Sequence, residues 1–381
     1  MTYIHQLEEW PRLAWDTAAL ADRLAEVRHD QGRLLGRIEG LGFELRSEAS
    51  LQARTEDVVK SWAIEGESID ADEVRSSIAS RLGLAVGGAP RASRQVEGIV
   101  EMMLDATTNH SQPVTEERLF GWHAAPFPTG RSGLRRIAVA KWRSPSGDPM
   151  QVVSGAIGRE KVHFEAPNSG RVPAEMVRFL EWLNSNKSMD PVLEAGAAHL
   201  WFLTIHPFED GNGRIGRALA DLLLARADQS ADRFYSLSAQ IEKDRKSYYD
   251  QLESAQRGPL DITNWQQWFL ETLGQAISSA DELIGATLRK AALWARARTG
   301  SLGARQEKVL ERMFRDFRGP MTTTKYAKIA DCSQDTALRD IQSLVELGVL
   351  VRNPSGGRST SYRLADPRLG ENEATGPTSR S

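Results

Sequence analysis

Residues 206–217 read HPFEDGNGRIGR and stand directly behind the apolar run AAHLWFLTI at 197–205. His206 is the one group in the stretch able to accept a proton near pH 7. Gly211 and Gly213 permit backbone conformations closed to other residues, and they flank Asn212, which tolerates left-handed geometry. A glycine-lined loop that opens into a helix presents backbone N–H groups at the positive end of the helix dipole, which makes a phosphate cradle. Arg214 and Arg217 are spaced i, i+3 and share one face of the first helical turn. Two guanidinium forks beside such a cradle fit a polyphosphate. Asp210 is a hard oxygen ligand suited to Mg²⁺ held jointly by carboxylate and phosphate oxygens. The set describes phosphate transfer, in which loop and arginines hold the anions, the metal bridges them and His206 deprotonates an attacking hydroxyl.

The elements around the stretch must place it. Pro207 disfavours helical geometry at His206, so the apolar helix at 191–205 stops near Ile205, and Phe208 is the ring expected to anchor the loop in the core. A second helix continues over 213–227. Upstream, helices are expected at 16–45, 51–65 with Gly66 as the terminating glycine, and 71–82, then from residue 94. A Gly/Pro/Ser stretch at 85–93 reads as a joint. Residues 127–165 carry β-formers and turn residues, with a hairpin at about 151–165. Helices are expected again over 173–183, about 241–255 and 262–298. From 303 to 365 the order is helix, short helix, turn, long helix and two β-like runs around a Gly-rich loop, the layout of a winged helix-turn-helix.

Composition bounds the rest. The chain has 381 residues, 40% hydrophobic and 26% charged, with a net charge of -3. Two or three domains are expected, and nothing global advertises nucleic-acid or membrane binding. A single cysteine, Cys332, excludes an internal disulfide framework and suits a reducing compartment. The N-terminus lacks the pattern of a signal peptide, and no run of about 18 apolar residues occurs, so a cytoplasmic protein without membrane partners is expected.

A glycine pair before a helix is by itself an ordinary turn, and two arginines at i, i+3 an ordinary solvated face. The complete order of residues 206–217, however, resembles the signature of the Fic family, HxFx(D/E)GNGRxxR, and matches it at every fixed position. The resemblance covers roughly residues 94–290. It implies a mainly α fold with a Fic-type helical core and a small β-hairpin flap. It also implies a nucleotidyltransferase that moves AMP from ATP to a hydroxyl side chain of a protein target. By this resemblance His206 is the general base and Asp210 the Mg²⁺ ligand. Gly211, Asn212 and Gly213 form the anion cradle, and Arg214 and Arg217 bind the distal phosphates. The stretch SGAIGREKVHFEAP (154–167) looks like the family's flap, which places Val162, His163 and Phe164 near the nucleotide. SYYDQLESAQ (247–256) resembles the adenine-side helix, with Tyr248, Tyr249 and Gln256 beside base or ribose. Many members carry Asn where this chain has Gln256. His199 reads as a core histidine.

Ser61 to Gly66, SWAIEG, raises a separate question. A carboxylate at Glu65, in the last turn of a helix, faces the negative end of the dipole at a small cost. The stretch fits the motif (S/T)xxxE(G/N) of an inhibitory helix found in a subset of the family. That resemblance implies that Glu65 enters the nucleotide site and pairs with Arg217 through a bidentate contact, taking the room of the γ-phosphate. The surrounding residues resemble the N-terminal helical domain of bacterial Fic proteins that end in a winged helix. The implied organisation is a regulatory domain at 1–93, a catalytic domain at 94–298, the winged helix at 303–365 and a disordered tail at 366–381. The winged-helix region carries 11 Lys/Arg and 7 Asp/Glu. Ser333 or Gln334 would start its recognition helix, with Thr336, Arg339 and Asp340 near the exposed face and Arg358 at the wing tip. DNA is one partner for it and protein the other. A homodimer is expected from the family.

Overall fold

The structure is a computed structural model. It describes residues 2–84, 91–144, 150–154, 161–185, 188–300, 302–315, 317, 319–354 and 360–366. Arg358, the flap tip at 155–160, most of the 85–93 joint and nearly all of the expected tail lie outside these residues. The protein is mainly helical and divides into two compact units, 1–281 and 282–381.

The first unit opens with helices α1 (Thr17–Glu39), α2 (Phe43–Ile64) and α3 (Ala71–Arg81), then α4 (Arg94–Thr108) and α5 (Glu116–Ala124). Two small antiparallel hairpins follow: β1 (Arg131–Ser132) with β2 (Arg135–Arg136), and β3 (Gln151–Ser154) with β4 (Lys161–Glu165). Helices α6 (Val172–Asn184), α7 (Pro191–Ile205), α8 (Asn212–Asp228), α9 (Leu237–Lys243) and α10 (Arg245–Gln256) complete the core together with the start of α11 (Thr263–Arg298).

The helix expected at 16–45 is two helices. Gly40 and Gly42 cap α1 and α2 respectively, and the apolar recurrence that runs through Leu41 hides this break. The helix expected at 241–255 likewise breaks at Asp244, whose backbone is not helical (φ -129°, ψ 56°) and whose carboxylate caps α10. Helix α5, not expected from the sequence, starts at a Thr115 cap.

Helix α7 is apolar on every face, and Val192 through Ile205 are all buried, as such a helix requires. It fixes the end of the chain that enters the 206–217 loop. Helix α2 is tied to the same region by buried polar contacts. The Asp57 carboxylate accepts from Ser236 Oγ (2.6 Å) and Ser238 N (3.2 Å), and Arg54 donates to Thr107 Oγ1 (3.1 Å) and the Ala231 carbonyl (2.5 Å). Arg233 pairs with Asp221 (3.1 Å) and Asp228 (2.8 Å), which joins that segment to α8. Buried charges are tolerable only when paired in this way.

The second unit holds α12 (Ala304–Arg315), β5 (Met321–Thr322), α13 (Thr323–Ala330), α14 (Gln334–Glu346), β6 (Leu350–Arg352) and β7 (Ser361–Leu364). Its three strands lie in the order β5-β7-β6, all antiparallel, and close on a core that includes Leu310, Tyr326, Ile341 and Leu350. Ser333 caps α14 by accepting from Thr336 N. Asp340 is not on the exposed face. It turns inward to Arg305 (3.3 Å) and the Tyr326 hydroxyl (3.4 Å).

Candidate active site

Helix α7 ends at Ile205, and His206 takes left-handed backbone angles (φ 51°, ψ 58°), its N–H still donating to Phe202 O. The following proline bars the helical alternative. Phe208 is fully buried and stacks on His123 (centroids 4.2 Å apart, planes 9° off parallel), with Trp142 at 5.0 Å. Gly211 is the second left-handed residue (φ 82°), and a Cβ there would meet the Phe127 ring at 3.1 Å. Asn212 has no left-handed angle. It is the first residue of α8 and 2% exposed, and its amide clasps the Phe208 backbone on both sides (2.9 and 2.8 Å). Its side chain holds the loop closed. Gly213 has no left-handed angle. Its lack of a side chain matters for another reason: a Cβ would lie 2.0 Å from Glu65 Oε1.

A cavity of about 740 Å³ lies against this loop. Glu65, His163, Phe164, His206, Gly213, Tyr248, Tyr249 and Gln256 line it, as do Leu203, Arg245 and Glu253, which the sequence did not single out. Val162 is not among the lining residues; its carbonyl accepts from Arg257 (2.9 Å). His163 Nδ1 is 2.5 Å from Glu253, so strand β4 is pinned to α10. Phe164 packs edge-on against Tyr3, and the Glu165 carbonyl contacts His5 Nε2 (2.8 Å). The N-terminal residues therefore brace the hairpin from behind.

Burial and the adjacent Arg143 charge push the His206 pKa down to about 4, so the imidazole is neutral at pH 7. Its Nδ1 lies 3.4 Å from the Leu203 carbonyl; with the proton assigned there, Nε2 is the free base. Arg143 clamps the turn, donating from Nε to the His206 carbonyl (2.8 Å), from Nη2 to Pro167 O and from its backbone N–H to Pro207 O (2.8 Å). No sequence signal marks this residue.

Asp210 Oδ1 accepts from Gly211 N (2.5 Å) and Arg214 Nη2 (3.1 Å), and Oδ2 accepts from the Ser132 hydroxyl. Burial works to raise its pKa. The Ser132 hydrogen bond, the Arg214 charge and the Gly211 N–H outweigh that and hold it below the usual carboxylate range. Among the described residues, no three His, Cys, Asp or Glu side chains gather into a metal site. A lone ionised carboxylate fits a cation that draws its remaining ligands from phosphate and water, as Mg²⁺ does.

The two arginines in the first turns of α8, Arg214 and Arg217, are already occupied. Helix α2 ends at Ile64, Glu65 caps it, and Gly66 is left-handed (φ 82°). Gly66 N donates to Ala63 O and Glu67 N to Trp62 O, a Schellman reversal that brings both glutamates to α8. Glu65 Oε1 is 2.8 Å from Arg217 Nη1, while Arg217 Nε and Nη2 donate to Ser61 Oγ (2.8 Å) and Ser61 O (2.7 Å). The expected bidentate pair is thus a single carboxylate contact, because Ser61 takes the rest of the fork. Tyr249 donates to Ile64 O (3.3 Å), and Tyr248, buried, contacts His199 Nε2 (3.0 Å). Glu67, which the sequence reading passed over, pairs with Arg214 at 2.9 Å. The only sequence signal for it is a second acid two residues past the first, across a helix-ending glycine. Arg214 also lies over the Trp62 and Phe127 rings at 5.2 and 5.1 Å.

Comparison with known proteins finds similarity over the same part of the chain. A profile described as Fic/DOC family matches residues 113–224, and one described as a domain of unknown function, DUF4172, matches residues 3–84. A protein adenylyltransferase Fic of Culex quinquefasciatus is 36% identical over 118 residues, which is 30% of this chain and 22% of that protein. One from Drosophila ananassae is likewise 36% identical over 118 residues and is covered to 22%. The chain thus spans about a fifth of the length of these relatives. The crystal structure of a Fic family protein from Desulfovibrio desulfuricans G20 superposes with a TM-score of 0.52 at 22% identity, over 96% of this chain and 99% of that one, a likeness of fold. Over residues 113–224, from just before α5 through most of α8, the chain carries a region that the Fic/DOC family profile matches.

Proposed function

We propose that the protein transfers AMP from ATP to a hydroxyl side chain of a protein target and of itself, and that Glu65 restrains it. The observation that carries this reading is one cavity wall: neutral His206 stands in it together with Glu65, whose carboxylate is on Arg217. His206 Nε2 takes the proton of a Ser, Thr or Tyr hydroxyl as its oxygen bonds to the α-phosphorus, and pyrophosphate leaves. The N–H groups opening α8, with Arg214 and Arg217, hold the phosphates. Asp210 would hold Mg²⁺, which when bound neutralises phosphate charge. Tyr248, Tyr249, Gln256 and the β3–β4 hairpin frame base and ribose.

In the latched state Arg217 is 1% exposed and its fork is filled by Ser61 and Glu65. A γ-phosphate must displace that carboxylate to reach it. The protein target, the homodimer and the cytoplasmic setting belong to the same proposal, as do the regulatory, catalytic and winged-helix domains at 1–93, 94–298 and 303–365. Among the described residues no helix is long and apolar enough to cross a membrane.

The second reading is a nucleotide-sensing regulator that binds DNA through the winged helix. On α14 the exposed residues include Asp335, Leu338, Arg339, Gln342, Val345 and Glu346. Two acids, two apolar residues and one cation suit a protein surface better than a phosphate backbone. The test is intact-mass analysis of Glu65→Gly after incubation with Mg²⁺ and ATP, UTP or CDP-choline. Addition of one AMP with ATP alone supports the proposal. Addition with UTP or CDP-choline alone replaces AMP with another group. No addition to the protein or to a host lysate favours the sensor.

A further inference from the structure

The ladder of β1 and β2 enters the reading above only through the Ser132 hydroxyl. It is a hairpin with a two-residue turn: Ser132 lies opposite Arg135 and Arg131 opposite Arg136, with Gly133 (φ 54°) supplying the left-handed turn residue. Two such short strands are marginal alone, and like charges directly opposite one another oppose pairing. The hairpin nonetheless carries arginines at both opposed positions, a third arginine at 135, and Leu134 at its tip, 95% exposed. Other contacts hold it in place. Ser132 Oγ donates to Asp210, Ala138 N to Glu209 (3.1 Å) and Ile137 N to Gly130 O (3.2 Å). Glu209 lies 3.8 Å from Arg135. Arg131 donates to the Leu134 carbonyl (3.1 Å), and among the described residues neither Arg131 nor Arg136 has an acid within ion-pair range.

We propose that residues 131–136 form a docking element for an acidic segment of the target protein, seated beside the Asp210 edge of the site so that its hydroxyl reaches His206. The role of the segment as substrate rests on the transferase reading; the docking itself does not. Two opposed arginines without acids repel until an anion lies between them, which turns a destabilising pair into a binding site. The exposed leucine at the tip offers one apolar contact. The hairpin is fastened to the motif loop through Ser132 and Glu209, so whatever it grips is placed relative to the active site. Exposed cation–carboxylate contacts are individually weak and salt-screened, which suits a substrate that must leave.

The test uses the full-length Glu65→Gly protein and its R131E/R136E derivative, with R131Q/R136Q as a milder variant should reversal impair folding. The probes are fluorescent peptides of equal length, each with one serine and one leucine, the rest glutamate in one and lysine in the other, plus a short oligothymidine. Anisotropy should show the glutamate peptide bound, weakened by salt, and weakened about tenfold by the reversal, while auto-modification with labelled ATP is unchanged. Glutamate-peptide binding that ignores the arginine substitutions overturns the proposal. So does oligothymidine bound more tightly than the peptide and lost with the same arginines. If the Glu65→Gly parent binds the peptide but never labels itself or the peptide, docking stands and the transferase reading fails.

Discussion

Arg214 and Arg217 are each at most 2% exposed, and each meets an acid that arrives from outside α8. A buried guanidinium without a counter-charge is costly, so the acids stabilise the resting state as well as blocking the site. Removing Glu65 should therefore cost stability. Glu65→Gly is expected to unfold in urea with about 1–3 kcal/mol less stability than wild type, and Mg²⁺–ATP should recover more of it than in wild type. The buried histidines give a second expectation at this scale. Burial pushes His123, His199 and His206 each down to about 4, against about 6.5 in an unfolded chain. Between those values the unfolded chain takes up protons that the native state refuses. The stability they contribute is thus complete above pH 6.5 and is lost as pH falls toward 4. Urea midpoints should drop steadily from pH 6.5 to 5; a flat profile would contradict the assigned burial.

At the scale of elements, the turn after α2 is one device with two acids. Gly66 reverses the chain, Glu65 takes Arg217, and Glu67 takes Arg214. Glu67 is the more exposed of the pair, 42% against 28%, so its hold is the weaker. Glu67→Gln is expected to raise labelling about two- to fivefold, well short of Glu65→Gly. Initial rates with labelled ATP check this, and a Glu67→Gln rate equal to wild type would leave Glu67 without a regulatory part. Local features of this region were readable from the sequence because they depend on neighbours in the chain: the stop before His206, the glycine ending α2 and the i, i+3 arginines. Features made by distant residues were not. Arg143 reaches the His206 carbonyl from 63 positions away, and nothing in KWRSP announces it. The Asn212 side chain is another such case: its amide closes the loop on Phe208, a contact that only packing creates.

For the whole molecule, most helices and the β3–β4 hairpin followed from periodicity and turn residues, while helix α5 and the α1–α2 and α9–α10 breaks did not. In the second unit the modest excess of basic residues left DNA and protein both open as partners. The face that α14 exposes is acidic and apolar as much as basic, and Asp340 is spent on Arg305. At about 150 mM salt we expect no retardation of mixed-sequence duplex DNA in a gel shift, and salt-sensitive retardation would restore the DNA role. The central claim is that one ion pair, Glu65 with Arg217, separates a resting transferase from an active one. Its most direct test is incorporation of α-phosphate-labelled ATP by wild type, Glu65→Gly and His206→Ala/Glu65→Gly proteins side by side. Little label, much label and none are expected, respectively; equal labelling of wild type and Glu65→Gly, or label persisting without His206, would overturn the assignment.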